Sequence, residues 1–115
     1  MYTSFAEIKS AISKGVTIVE ITKSYLANIE ANAHLNAFLE VFNETALAKA
    51  AEVDVKIKDG SAGKLAGMVI GLKDNMAYKD HKVSASSKIL ENFESLYSAT
   101  AVQRLLDEDA VIIGR

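Results

Sequence analysis

Lys73 is the residue of this chain with the clearest chemical potential. It closes the segment Leu65-Ala66-Gly67-Met68-Val69-Ile70-Gly71-Leu72-Lys73-Asp74-Asn75, where an apolar run stops at a cation followed by two turn-forming residues. An amine at the carboxyl end of a buried strand has two readings. It can be a solvated strand terminus. It can instead be a general base in a dry site, because burial disfavours the ammonium form of a lysine. A lysine base serves a serine nucleophile in amide and ester hydrolysis. Asp74 and Asn75 would then orient the lysine or its loop; otherwise they simply make a turn. Ser84, Ser86 and Ser87 follow, and a serine cluster after a lysine invites a Ser/Lys pair. No Gly-x-Ser-x-Gly elbow surrounds any of them, and a polar loop capping a helix from near Lys88 is the simpler account.

The remaining polar residues offer less. His34 and His81 lie far apart in polar stretches and read as solvated loop histidines, not a zinc pair. The run Asp107-Glu108-Asp109 falls late in a helix, where it opposes the macrodipole, and reads as a solvated face. Cysteine is absent, which removes disulfides, thiolate metal sites and cysteine nucleophiles, and fits the cytoplasm. No Gly-x-Gly-x-x-Gly and no phosphate-cradling Gly-Lys-Ser or Gly-Lys-Thr occurs.

The elements that position Lys73 must come from one domain, since 115 residues is close to the commonest domain size. A net charge of −2, with Lys and Arg scattered, leaves no electrostatic footprint for nucleic acid, although an RNA held by another subunit is compatible with it. No basic start precedes a long apolar core, so no signal peptide is read. No apolar run approaches the ~18 residues of a membrane span. Proline is absent, so turns rest on Gly, Asn, Asp and Ser.

Ser4-Phe5-Ala6-Glu7 and Thr17-Ile18-Val19-Glu20 each carry the capping-box pattern, predicting helices that end at Gly15 and near Ala31. Leu35 to Phe42 alternates like a strand but suits a buried helical turn nearly as well. Asn43 is placed to cap a helix reaching about Lys58, before Asp59-Gly60. Met68 to Leu72 is the continuous apolar run of a strand covered on both faces. Tyr78 to Lys82 reads as a polar loop, and Ser84 to Phe93 as a loop leading into a short helix. Thr100 to Asp109 reads as a helix with Ser98 as a cap, and Val111 to Ile113 as a second strand. Strand, helix and strand in that order form a parallel crossover unit. On this reading nothing covers the second face of the strand pair or flanks the last strand. The chain therefore reads as the opening part of a larger α/β domain, marginal in stability by itself.

The ordered segments carry a resemblance. The lysine segment, then Ala85-Ser86-Ser87-Lys88-Ile89-Leu90-Glu91-Asn92-Phe93, Ala99-Thr100-Ala101-Val102 and Ala110-Val111-Ile112-Ile113-Gly114-Arg115, resemble the amidase signature family. Within it they are similar to the glutaminase subunits of tRNA-dependent amidotransferases. Nearly the whole chain is covered, including the amino-terminal helices and Asn36-Ala37-Phe38-Leu39. Val69 stands where the family often has proline, and Asp109 where glycine is common.

The resemblance implies an α/β fold: amino-terminal helices followed by a βαβ unit, the opening part of the family's mixed-sheet domain across residues 1–115. It implies a serine hydrolase in which Lys73, as general base, acts through a bridging serine with a cis peptide bond on a nucleophilic serine. No residue here matches either family serine, and the roles are not carried to Ser84, Ser86 or Ser87. Both serines are expected in a Gly/Ser-rich region beyond Arg115, so the chain by itself is expected to be inactive. Glutamine is the implied substrate and ammonia the product. Companion B and C subunits are the implied partners, using ATP and Mg to amidate mischarged tRNA, with no cofactor or metal held in this chain. Two other readings stay open: a general small-amide amidase of the same family, and a non-catalytic interaction module that kept the scaffold.

Overall fold

The computed structural model describes all residues 1–115. Helices α1 (Phe5–Ser13) and α2 (Ile18–Ala31) both start on the capping boxes read from the sequence. Ser4 Oγ accepts from the Glu7 N–H while the Glu7 carboxylate accepts from the Ser4 N–H. Thr17 and Glu20 repeat the exchange. Gly15 follows α1 at φ +96°, a left-handed position that favours glycine. One further cap has no local sequence signal. The Asp54 carboxylate accepts from the N–H groups of Ile18 (2.7 Å) and Val19 (3.1 Å), anchoring the start of α2 to the next helix.

That helix, α3 (Asn43–Asp59), begins differently from expectation. Asn43 is its first residue, not its cap; Phe42 holds the cap position without a side-chain hydrogen bond. Tertiary packing sets this start, because the Phe42 ring is buried and its N–H donates to the Ile113 carbonyl at 2.8 Å. The expected Gly60 ends α3 in the left-handed region.

Strands β1 (Val69–Gly71) and β2 (Val111–Gly114) pair in parallel, as the order of elements predicts. Val69 lies opposite Val111 and Ile70 opposite Ile112, with an irregularity before Gly71. Helix α4 (Thr100–Asp107) makes the crossover. Ser98 does not cap it: Ala99 holds that position, and Ser98 Oγ accepts from the Lys79 N–H instead.

The ambiguous stretch from Leu35 to Phe42 resolves into parts. Ala33–Leu35 forms a short 3₁₀ turn. Leu39 to Phe42 then runs antiparallel along the end of β2, bridging Val41 to Gly114. Leu39 and Glu40 donate to the Arg115 carbonyl, and the Arg115 N–H returns to the Glu40 carbonyl. The expectation that nothing flanks β2 is therefore corrected, since it lies between β1 and this edge segment. So is the expected bare sheet face. Val111 packs with Ile18, Ala46, Ala50 and Val53, on the side of α2 and α3. Ile112 packs with Phe42, Leu72 and Val102, where α4 and Phe42 supply the cover. Consecutive strand residues point to opposite faces, so both must be apolar here.

Two polar expectations also change. Asp109 is buried, not part of a solvated face. Its Oδ1 accepts from Lys56 Nζ (2.7 Å) and Lys49 Nζ (3.2 Å), and its Oδ2 from the Gly63 N–H (2.8 Å). His81 is half-buried, stacked on Tyr78 with 3.9 Å between ring centroids and set against Phe42. A loop without aromatic neighbours would have left it in water; here the ring joins the Phe42 side of the core. His34 is exposed in its 3₁₀ turn. No helix is long and apolar enough to cross a membrane.

Candidate active site

Lys73 stands where the sequence puts it, just beyond β1 at the carboxyl end of the parallel pair. Its backbone is pinned on both sides. Before it, the buried Leu72 donates its N–H to the Gly114 carbonyl at 2.9 Å. After it, the Met76 N–H returns to the Lys73 carbonyl at 3.0 Å and closes a turn through Asp74 and Asn75. The side chain itself is exposed and enters no ion pair.

Asp74 organises the surroundings. Its Oδ1 accepts from the Ser84 N–H (2.9 Å) and from Arg115 Nη1 (2.5 Å). Its Oδ2 accepts from the Ser84 hydroxyl, and its carbonyl from the Ala85 N–H. The Arg115 guanidinium uses Nε to reach Glu40 Oε2 at 3.1 Å. Arg115 and Asp74 keep only 11% and 10% of their side-chain surface exposed, so this ion pair is largely shielded from water. Burial pushes the Asp74 carboxyl upward, but the two Ser84 donors and the Arg115 cation outweigh it and hold the group below the ordinary 3.8.

The serine loop is fixed by the same carboxylate. Ala85 and Ser86 occupy the left-handed region at φ 48° and 60°, uncommon for residues with a Cβ. The turn persists because Asp74 holds Ser84, just before it, and the Ala85 N–H within it. Ser84 thus spends its hydroxyl on Asp74 rather than on Lys73, and no Ser/Lys pair forms among Ser84, Ser86 and Ser87. Ser87 precedes the 3₁₀ turn Lys88–Leu90 without a side-chain cap, so the loop is held by Asp74 and not by capping.

Arg115 and Glu40 join the site without having been expected in it. A signal existed for Arg115: it follows β2 directly, as Lys73 follows β1 closely. Parallel pairing brings equivalent strand ends together. Glu40 gave none, because its place depends on the pairing of the edge segment with β2.

A tethered amine at the carboxyl ends of parallel strands occupies the usual place for an α/β active site. The chain belongs to the Amidase family, whose sequence model matches residues 20–115. Among curated relatives, the A-type subunit of glutamyl-tRNA(Gln) amidotransferase from Chlorobium phaeobacteroides is 42% identical over 99% of this chain and 24% of its own length. Its namesake from Methanothermobacter thermautotrophicus is 48% identical over 87% of this chain and 22% of its own. The solved native peptide amidase from Stenotrophomonas maltophilia superposes with a TM-score of 0.90 at 34% identity, over 98% of this chain and 24% of its own. The chain thus spans about a quarter of the length of these relatives. Over that span its α/β architecture is that of the amidase-signature enzymes.

Proposed function

We propose that these residues are the amino-terminal part of the glutaminase subunit of a tRNA-dependent amidotransferase. In this reading the whole protein hydrolyses glutamine, and the ammonia converts Glu-tRNA(Gln) or Asp-tRNA(Asn) to the amidated form. One observation carries it: relatives bearing the name of that glutaminase component reach 42% and 48% identity, against 34% for the peptide amidase. Lys73 is the general base that draws the proton, through a bridging serine, from a serine nucleophile. Both serines come from polypeptide outside the 115 residues. Companion B and C subunits hold ATP and Mg and receive the mischarged tRNA, in the cytoplasm.

Lys73 fits the role for a geometric reason. Its backbone is tethered on both sides while its amine remains uncommitted. A base must be placed within hydrogen-bond reach of the proton it takes, so a fixed backbone matters more than an ion pair would.

The test is ammonia release from glutamine by the native full-length protein and its copurifying subunits. Lys73→Ala should abolish release while leaving circular dichroism and assembly with the partners unchanged. Retention of wild-type turnover by that variant removes Lys73 from the chemistry. The peptide amidase superposition favours one other reading, a small-amide amidase without tRNA. Purification without partner subunits, with turnover of simple amides and none of glutamine, would decide for it.

A further inference from the structure

We propose that the Arg115–Asp74 pair is the positioning device for Lys73. The inference rests on the reading of Lys73 as a base and adds residues to it. Lys73 is held on one side by the strand pairing of Leu72. On the other side the Met76 N–H closes the turn through Asp74 onto the Lys73 carbonyl, and the Asp74 carboxylate is fixed by three donors: the Ser84 N–H, the Ser84 hydroxyl and Arg115 Nη1. Arg115 is the long-range member of the set. It emerges from the end of β2 and crosses to the turn that ends β1, while its Nε binds Glu40 of the edge segment at 3.1 Å. One guanidinium therefore ties the ends of all three extended segments around the lysine turn.

The pairing has a second effect. Asp74 is the carboxylate next in sequence to Lys73, yet its ion pair is with Arg115 and not with the lysine. The guanidinium commits that charge and leaves the amine without a salt-bridge partner. A planar fork does this with direction: Nη1 faces Asp74 while Nε faces Glu40. An ammonium at the same place would make the Asp74 contact as a point charge and hold Glu40 less well.

Arg115 and Asp74 are positioning residues and touch no substrate in this assignment. Misplacement of a reacting group by about 1 Å lowers turnover on the order of a hundredfold. Loss of the tie should therefore act on kcat and spare KM.

The experiment uses the native full-length protein with its subunits and measures steady-state ammonia release from glutamine. Arg115→Ala and Asp74→Asn should each lower kcat by roughly a hundredfold with KM within about twofold of wild type. Their double variant should lose no more than the worse single, because both remove one interaction. Arg115→Lys should recover part of the loss. Ser84→Ala, which deletes one donor and leaves the ion pair, should lower kcat by a smaller factor; it serves as the informative variant if Arg115→Ala does not fold. Unchanged kcat in folded Arg115→Ala, or in Ser84→Ala where the former is unfolded, overturns the proposal. So does a loss confined to KM. Lys73→Ala is run alongside: if that variant stays active, the base assignment fails, whereas an inactive Lys73→Ala beside a fully active Arg115→Ala sinks the positioning role only.

Discussion

Asp109 shows how one side chain replaces what backbone freedom would otherwise supply. It sits at φ +68°, between α4 and β2, in the left-handed region where glycine is the easy choice. The family resemblance put glycine at this position, and the geometry gives the reason. Here an aspartate accepts the conformation, as Asp and Asn do more readily than most residues. Its carboxylate, with 2% of its side-chain surface exposed, accepts from Lys56, Lys49 and the Gly63 N–H. Gly63 is itself required, since a Cβ there would meet the Glu108 backbone at 2.6 Å. Asp109→Asn keeps the backbone preference and size but removes one of the two carboxylates that Lys49 and Lys56 share, leaving Glu52 to serve both ammonium groups. Breaking a buried pair costs about 3 kcal/mol or more when the surviving charge is left alone, and less here, where Glu52 and water remain for the lysines. With Glu52 still bridging both lysines, a loss of about 1–2 kcal/mol is expected by urea unfolding, chiefly from the unpaired Gly63 N–H and the lost charge-assisted bonds, and a change below ~0.5 kcal/mol would show the cluster to be idle. The pH dependence has a definite sign. Burial raises the Asp109 carboxyl, but the Lys56, Gly63 and Lys49 donors outweigh it and depress the group below 3.8. A carboxyl depressed in the folded state stabilises fully above its unfolded value. The contribution should fall away as pH drops through 3.8 and vanish below the lower folded value. Asp74 follows the same rule. Urea unfolding across an acid pH series should therefore show a shallower fall in stability for Asp109→Asn and for Asp74→Asn than for wild type.

At the scale of elements, the edge segment Leu39 to Phe42 determines whether β2 is a central or an exposed strand. Its seat depends on Gly114. A Cβ on Gly114 would lie 2.6 Å from the Glu40 carbonyl oxygen and 2.8 Å from Phe38 Cδ1. The carbonyl belongs to the backbone and cannot rotate away. Gly114→Ala should therefore push the segment off β2 and destabilise by about 1–3 kcal/mol, the usual cost of overpacking. Hydrogen exchange would localise the effect: the Phe42, Glu40 and Leu39 amides should lose protection while the middle of α3 keeps it. Equal protection in wild type and variant would mean that the segment is held by something other than this pairing. The same segment marks the limit of what the sequence disclosed. α1, α2, β1, the Lys73 turn and β2 were legible because caps, glycines and apolar runs are local signals. The pairing of Leu39 to Phe42 was not, because alternation over a few residues fits a strand or a turn and the deciding partner lies at the far end of the chain. Asn43 and Ser98 failed as caps for a related reason. Packing of Phe42 sets the start of α3, and the Ser98 hydroxyl is engaged by the Lys79 N–H. In the candidate site, Lys73 was legible from its strand, while Arg115 and Glu40 reach it only through tertiary contacts.

The molecule as a whole is less compact than its length allows and leaves eight large apolar side chains exposed. Its radius of gyration is 14.5 Å, against about 13 Å for a compact domain of 115 residues. Only 19 of 115 residues are buried, which leaves few side chains to offset the entropy of ordering the chain. Half of the eight exposed large apolar residues fall in the connection between β1 and α4, where Ile89 is 94%, Leu96 83% and Tyr97 66% exposed and Phe93 is the fourth. β1 also pairs on one side only, leaving backbone donors and acceptors along its other edge. Exposed apolar side chains together with an open strand edge favour association. The purified 115-residue chain is therefore expected to associate in the micromolar range, with light scattering that grows with concentration and a broad thermal transition. Ile89→Lys combined with Leu96→Glu should reduce scattering without changing the helical signal, because neither side chain contributes to the core. The same preparation should release no ammonia from glutamine, since the proposed relay needs serines from outside these residues. A sharp, cooperative transition from a dilute monomer would contradict the stability argument. Measurable ammonia release would contradict the catalytic one, because Lys73 would then need a nucleophile from within the 115 residues.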